Sequence, residues 1–217
     1  MIAFFHWFVK ITGYIPQRLI FRTKVYYEDK TRQSRRIRGK AIVICNHQSV
    51  FDYAVLMFLF PGRALRALAA EVLYEKGGLM RLLLNCFGMI RVDRDAMDFS
   101  FIERCSRILG KGGAIEIYPE ARLPKAGEEK PLPFKPSAAY LALETDTPII
   151  PVYSTGKLFC KERNRVIIGT PLHPRELVDN SLGLTRNVAD LTEIMRGKII
   201  ELQQQLEASI QEEKDRK

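Results

Sequence analysis

The chain has 217 residues, of which 47% are hydrophobic and 27% are charged, and its formal net charge is +9. This length and composition predict one folded domain with a sizeable core and exclude a largely disordered chain. The basic excess suits nucleic acid, anionic lipid or a phosphorylated substrate, but the sequence carries no nucleic-acid-binding motif.

The N-terminal residues 1–15 form the most apolar stretch at either end of the chain, and Pro16 is expected to end it. The stretch is too short and too polar for the ~20 apolar residues of a membrane span, and it lacks the basic start of a secretory signal. On a helical wheel, His6 and Lys10 share a narrow polar stripe and apolar side chains cover the rest. With the basic residues of positions 18–40, this pattern predicts a helix in the interface of an anionic membrane. The alternative is a helix that packs on its own domain.

Beyond this segment, strand and helix patterns alternate along the chain. The predicted strands lie at residues 24–28, 41–45, 65–69, 89–92, 114–117, 149–153 and 165–168. The predicted helices lie at residues 50–60, 79–87, 98–109, 137–144 and 192–210, with Asp98 and Gly110 as the start and stop signals of the third helix. A long loop is expected at residues 118–136. The alternation predicts an α/β fold, a single-domain mixed sheet covered by helices.

The predicted organisation has three parts: an interfacial helix at residues 1–23, a folded domain at 24–210 and a charged tail at 211–217. The tail is expected to fray. The four cysteines are widely spaced and show no paired metal-ligand spacing. Reduced thiols in a cytosolic protein are therefore expected, without a metal site.

The most informative motif is His47 and Asp52, which directly follow the apolar run at residues 41–45. A histidine at the end of a buried strand can act as a general base while a nearby carboxylate fixes its tautomer and stabilises the imidazolium. A structural alternative is that Ser49 caps the next helix, with Asp52 at its third position and His47 a polar strand-end residue. Both interpretations can hold at once.

Three further blocks follow in a fixed order, at residues 88–94, 117–122 and 148–152. With residues 46–52, they resemble the four motifs of the glycerolipid acyltransferases, the family of 1-acyl-glycerol-3-phosphate acyltransferases, over about residues 40–155. The third block departs from the family pattern, because Ala121 stands where the family usually has glycine and Arg122 comes one place early. A lysine that is common in the family before a Glu-Leu pair is also missing.

The resemblance implies transfer of a fatty acyl group from an acyl thioester to the free hydroxyl of 1-acyl-glycerol 3-phosphate, giving phosphatidic acid. His47 and Asp52 would be catalytic, with His47 taking the proton of the acceptor hydroxyl, so that no covalent intermediate and no cofactor are required. The thioester co-substrate would be acyl-CoA or acyl carrier protein. The enzyme is then expected to be peripheral, on the cytoplasmic face of a membrane.

Binding of the acceptor phosphate is assigned to Arg94 and Arg122, with Arg91 and Lys125 in reserve. For Glu120 the resemblance implies a place near the acceptor, where it accepts from a glycerol hydroxyl or orients an arginine. Each arginine taken alone is more often a solvated loop charge. Two other functions stay open: acylation of another lysolipid, and a catalytically silent lipid-binding module whose basic N-terminus is the working part.

Overall fold

The computed structural model describes residues 1–93, 100–179 and 181–216. The strands in these ranges are β1 Lys24–Tyr27, β2 Ala41–Cys45, β3 Leu65–Ala70, β4 Ile90–Val92, β5 Ala114–Ile117, β6 Ile149–Ser154 and β7 Arg165–Ile168. The helices are α1 Ile2–Thr12, α2 Tyr14–Ile20, α3 Asp52–Leu59, α4 Glu71–Glu75, α5 Gly78–Cys86, α6 Ser100–Gly110, α7 Ser137–Thr145 and α8 Leu184–Asp215, with a 3-10 turn at Pro174–Glu176.

The strands form one sheet in the order β1-β7-β6-β2-β5-β3-β4. From β6 to β4 all neighbours are parallel, whereas β7 is antiparallel to β6 and β1 is parallel to β7. The predicted mixed sheet is therefore confirmed. Every residue of the central strand β2 is buried, because helices cover both faces of the sheet. The carboxyl ends of the parallel strands share one edge, which is where ligands usually bind in such sheets.

The core has a layer on each face of the sheet. On one face, α6, α7 and α8 pack against alternate residues of the central strands, such as Ile42, Ile44 and Ile115. On the other face, α3 packs against residues of opposite parity, such as Val43 and Cys45. The site loops therefore leave a sheet that is rigid on both sides.

The sequence predicted every strand of the described sheet to within one or two residues, but it was less accurate for the helices. It missed α4, and the predicted cap Asp98 lies outside the described residues. The predicted fraying of the tail was wrong, because α8 begins at Leu184 and continues to Asp215. Near its end, Glu213 accepts hydrogen bonds from Tyr26 and Lys24 of β1, which hold the charged last turns on the sheet.

The N-terminal segment forms two helices where the sequence predicted one, and Pro16 does not end it. Pro16 lies in the first turn of α2, where its missing N–H has no helical partner to lose. Gly13 makes the joint, because a Cβ there would lie 2.7 Å from the carbonyl oxygen of Val9 and 2.8 Å from the ring of Phe58. No helix of the described residues combines the length and apolar character that crossing a bilayer requires.

The polar stripe of α1 faces the domain. His6 and Lys10 are 1% and 7% exposed. His6 donates from Nε2 to the Phe87 carbonyl at 3.0 Å, and Lys10 donates from Nζ to the carbonyls of Phe60 at 3.0 Å, Pro61 at 3.3 Å and Arg63. We call these contacts the α1 anchor. The helix therefore does pack on its own domain, and its apolar side chains point outward, with Phe4 74% and Ile11 68% exposed.

Candidate active site

The structure brings His47 and Asp52 together at the carboxyl end of β2. Nδ1 of His47 lies 3.0 Å from Oδ2 of buried Asp52. The same oxygen accepts the backbone N–H groups of Gln48 at 2.7 Å and Ser49 at 2.8 Å. A carboxylate in this position fixes the proton on Nδ1 and leaves Nε2 as the basic atom. Nε2 has no hydrogen-bond partner in the part of the chain that the structure describes.

The predicted capping role of Ser49 takes a different form. The helix α3 begins at Asp52 with Phe51 in the capping position, and no side chain caps it. The hydroxyl of Ser49 accepts the N–H of Phe51 at 3.2 Å, which closes a local turn before the helix. Asp52 therefore stabilises the turn and holds the imidazole with one oxygen atom.

Two buried side chains fix the backbone at His47 and the residue before it. The amide of Asn46 pairs with the backbone of Ser154 at the end of β6, donating at 2.9 Å and accepting at 2.8 Å. Glu120 accepts the N–H of His47 at 2.8 Å with one oxygen and that of Leu132 at 3.0 Å with the other. Burial raises the pKa of Glu120.

This arrangement gives Glu120 a positioning role that the sequence did not predict. Both of its oxygens hold backbone groups, and neither contacts an arginine within the described ranges. The alternative in which Glu120 orients an arginine stays a prediction, since the charge of Glu120, after that of Glu128, helps to raise the pKa of Arg122. Contact with a glycerol hydroxyl stays a prediction, since Glu120 lines the cleft described below.

Tyr118 is a site residue that sequence reasoning missed. Its ring stacks on the imidazole of His47, with ring centroids 4.4 Å apart and planes inclined by 23°. Its hydroxyl donates to Glu116, a fully buried carboxyl group in β5 whose pKa burial raises well above the usual range. The available signal was a glutamate within the otherwise apolar strand at residues 114–117, where a buried carboxyl group needs a partner.

A cleft of about 640 Å³ opens beside His47. Its lining comprises the carboxyl ends of β3, β4 and β5, the loop residues 118–122, and Phe101, Lys135 and Ser137. The imidazole side chain is 19% exposed. The dyad is therefore accessible to a substrate at the strand edge where ligands usually bind.

Of the predicted phosphate ligands that the structure describes, Arg122 is the one that lines the cleft. Its guanidinium makes a two-pronged ion pair with Glu128, at 2.7 and 2.8 Å, which lowers the pKa of Glu128 to about 2. Lys135 also lines the cleft, and the sequence analysis did not select it. These two cations are the described groups that could meet an acceptor phosphate beside His47.

The other predicted cations do not join them. Arg91 pairs with Glu71 and lies over the ring of Tyr74, where it lines a separate depression. Lys125 is not among the residues that line the cleft, and its backbone N–H donates to Glu128 at 2.6 Å. Arg94 lies outside the described residues. The predicted reserve role of Arg91 and Lys125 is therefore not supported by their positions.

The departure in the third block has a structural consequence. Ala121 adopts φ of +60°, in the left-handed region that glycine enters without steric cost. Its N–H donates to the carbonyl of Tyr118 at 3.0 Å, closing the turn that leads from β5 into the cleft. The backbone here keeps the shape that suits glycine although the residue is alanine.

Comparison with known proteins gives consistent results. The family model described as Acyltransferase matches residues 22–155, well over half of the chain. A 1-acyl-sn-glycerol-3-phosphate acyltransferase of Cocos nucifera is 31% identical over 126 residues, 58% of this chain and 40% of that protein. The beta form of Homo sapiens is 28% identical over 142 residues, 63% of this chain and 50% of that protein. The chain thus spans half or less of these relatives.

The fold also matches a solved structure. The crystal structure of the 1-acyl-sn-glycerophosphate (LPA) acyltransferase PlsC from Thermotoga maritima superposes with a TM-score of 0.62 and 19% sequence identity. The match covers 93% of this chain and 79% of that one. At this identity, the likeness shows a shared α/β fold.

Proposed function

The chain belongs to the acyltransferase family, and on that premise we propose that it acylates the free hydroxyl of 1-acyl-glycerol 3-phosphate to give phosphatidic acid. The acyl donor in this proposal is a thioester of coenzyme A or acyl carrier protein. The observation that carries it is the dyad: His47 is oriented by Asp52 through Nδ1, while Nε2 is left for a substrate at the cleft. The acceptor is proposed from the names of the relatives.

The geometry supports a direct transfer. Nε2 of His47 takes the proton of the acceptor hydroxyl as its oxygen attacks the thioester carbonyl. Asp52 stabilises the imidazolium that forms. When the tetrahedral intermediate collapses, the C–S bond breaks and the imidazolium returns the proton to the thiolate, so the products are an ester and a free thiol. The stacked Tyr118 and the clamped backbone limit the motion of the imidazole during both proton transfers.

The acceptor phosphate is proposed to bind Arg122 and Lys135. Both line the cleft on the side of the third motif, and an arginine fork suits two phosphate oxygens. In the described structure Glu128 occupies the fork of Arg122, so a phosphate must replace this carboxylate. This competition is a specific reason to compare acceptors with and without phosphate.

The proposed setting is the cytoplasmic surface of an anionic membrane, where both types of thioester are available. The support is the outward apolar face of α1 and α2, which comprises exposed side chains of Phe4, Trp7, Phe8, Ile11, Ile15 and Leu19. Water-soluble domains rarely expose so continuous an apolar surface. Such a face can enter the lipid interface while the polar stripe stays fixed to the protein.

Acyl transfer is tested by measuring thiol release from acyl-CoA and from acyl carrier protein with a panel of acceptors. We expect rapid release with lysophosphatidic acid, with phosphatidic acid as the product, and slower release with lysophosphatidylcholine or monoacylglycerol. A preference for another lysolipid would reassign the acceptor. Thiol release that does not depend on any acceptor would indicate a thioesterase. The absence of thiol release would favour a catalytically silent lipid-binding module.

Membrane binding is tested with the triple variant Phe4→Ser, Phe8→Ser and Ile11→Ser. These side chains are exposed, so the variant should keep its melting temperature but no longer sediment with phosphatidylglycerol vesicles. The intact protein should bind less as salt increases, because part of the attraction is screened charge. Equal sedimentation of variant and wild type would remove the proposed role of this face.

A further inference from the structure

A second cavity, of about 460 Å³, lies at the opposite end of β3 and β5 from the cleft. Its lining includes Arg63, Ala64 and Arg66 at the start of β3 and residues 112–114 at the start of β5. α1 and α6 contribute the other walls. We call it the amino-edge pocket. It shares no lining residue with the cleft beside His47.

The topology explains why a cavity exists here. β4 pairs only with Leu68–Ala70, the carboxyl half of β3. The amino half, Leu65–Ala67, pairs with β5 on one side and, within the described residues, has no strand on the other. The short β4 therefore leaves a gap along this edge, and the amino-edge pocket opens there between α1 and α6.

The pocket is strongly positive. Its lining contains Lys10, Arg63, Arg66, Arg107 and Lys111, together with His6, and no aspartate or glutamate. An excess of positive charge in a concave site attracts anions. Burial lowers the pKa of His6, so the lysines and arginines supply the charge.

These cations are not equivalent. Lys10 belongs to the α1 anchor, and Arg63 donates to the backbone carbonyls of Gly39 and Gly112, so both form the frame. Arg107 pairs with exposed Glu103. The side chains of Arg66 and Lys111 have no hydrogen-bond or ion-pair partner in the described ranges, which leaves two cations available to a ligand.

The occupant follows from what borders the pocket. Trp7 lines it and is also part of the outward apolar face of α1. When that face lies among acyl chains, the adjoining pocket is at the depth of the lipid phosphates. We propose that the amino-edge pocket binds the phosphate of an anionic bilayer phospholipid, separately from the acyl-transfer cleft, and so fixes the orientation of the enzyme on the membrane. This inference rests on the membrane acyltransferase function proposed above.

Trp7 is the single tryptophan of the chain, and it responds both to ligands in this pocket and to lipid on the apolar face that borders it, so the pocket variants below are needed to separate the two. Its fluorescence is titrated with monomeric short-chain phosphatidylglycerol, with the matching phosphatidylcholine and with glycerol 3-phosphate. We expect a saturable change with phosphatidylglycerol and a much weaker response to the other two. The His47→Ala protein should respond as the wild type does, because the cleft is separate. An equal response to glycerol 3-phosphate would identify a soluble-anion site and overturn the lipid assignment.

The pocket variant is a double variant that carries both Arg66→Gln and Lys111→Gln. Its control is the double variant Lys76→Gln and Lys214→Gln, which removes the same charge from exposed lysines outside the pocket. The pocket variant should lower the affinity for phosphatidylglycerol about tenfold or more beyond the control, as expected for lost charged hydrogen bonds. Lys111→Gln alone, at an exposed position, should give a partial loss in a protein that folds as the wild type does. Equal losses in pocket and control variants would mean diffuse surface attraction and would overturn the site.

Acyl transfer to a soluble lysophosphatidate separates this inference from the proposed function. If the pocket variant loses acyl transfer in parallel with its lipid response, the two cations serve the reaction, and the separate site is wrong while the function stands. If the wild-type protein shows the Trp7 response but transfers no acyl group, the pocket stands and the proposed function fails.

Discussion

Buried polar side chains meet the backbone both at the dyad loop and at the α1 anchor, but of the two only the dyad loop presents a basic nitrogen at the cleft. At the dyad loop, Asp52 and Glu120 collect backbone N–H donors around His47, and Nε2 stays available at the cleft. At the α1 anchor, Lys10 gives its hydrogen bonds to the carbonyls of residues 60–63. The first arrangement can do chemistry, and the second attaches a helix.

The difference shows why a perturbed pKa is an incomplete sign of function. Burial lowers the pKa of Lys10 to about 8, a value that would suit a catalytic amine. Its N–H donors are nevertheless bonded to backbone carbonyls, and it lines the amino-edge pocket, at the opposite end of β3 and β5 from the cleft beside His47. Whether a buried group is functional depends on the atom that it presents to a substrate.

The largest expected effect is that of His47→Ala. Loss of the general base should lower turnover by roughly 10²–10⁴-fold. The fold should survive, because Asp52 still accepts the neighbouring N–H groups and Glu120 still accepts the N–H of residue 47. Thiol release and thermal unfolding are measured on the same preparation. A folded variant with nearly wild-type turnover would end the catalytic proposal.

Lys10→Met tests whether the α1 anchor is purely structural. Removing the charged donor should lower the free energy of unfolding by roughly 1.5–3 kcal/mol, because carbonyls of the 60–63 turn lose their partner. Turnover per folded molecule on a soluble lysolipid should stay near wild type. The control is Lys76→Met, an exposed lysine whose loss should leave stability unchanged. A selective loss of turnover at unchanged stability would instead give Lys10 a part in the reaction.

Arg122→Ala tests whether the cleft binds the phosphate of the acceptor. The KM for lysophosphatidic acid should rise roughly tenfold or more, which corresponds to a lost charged hydrogen bond, while the KM for the thioester changes little. Glu128→Gln, which loosens the competing ion pair, should change the acceptor KM in the opposite direction. Equal losses on phosphorylated and unphosphorylated acceptors would show that Arg122 is structural.

The smallest expected effect is that of Ala121→Gly. A left-handed alanine costs roughly 1–2 kcal/mol, and the extra chain entropy of glycine offsets about half of that. The free energy of unfolding should therefore rise by about 0.5–1 kcal/mol. Ala126→Gly, in the same loop but without a positive φ, should be destabilising. If both changes destabilise the protein, the turn does not require glycine-like geometry.

Local sequence patterns predicted the strands and singled out His47 and Asp52, while the catalytic interpretation of the pair came from the resemblance to the family motifs. The apolar run of β2 is buried on both faces, and such runs are visible without knowing any neighbour. His47 and Asp52 are joined by one short turn, so their contact depends on few backbone angles. Which cations line the cleft was harder to predict: Arg122 was selected, Lys135 was not, and Arg91 faces Glu71 instead, because these positions depend on how distant segments pack.

The positions of the strands along the chain, the polar stripe of α1 and the closely spaced histidine–aspartate pair could all be read from the residues alone. These features follow from residue periodicity and short spacing, which act within a few residues. That the stripe faces inward depends on the folded chain, since the partners of Lys10 are carbonyls some fifty residues away in the sequence. The folded chain also places the cleft and the amino-edge pocket at opposite ends of the same strands, because sheet order and the short β4 are set by long-range pairing.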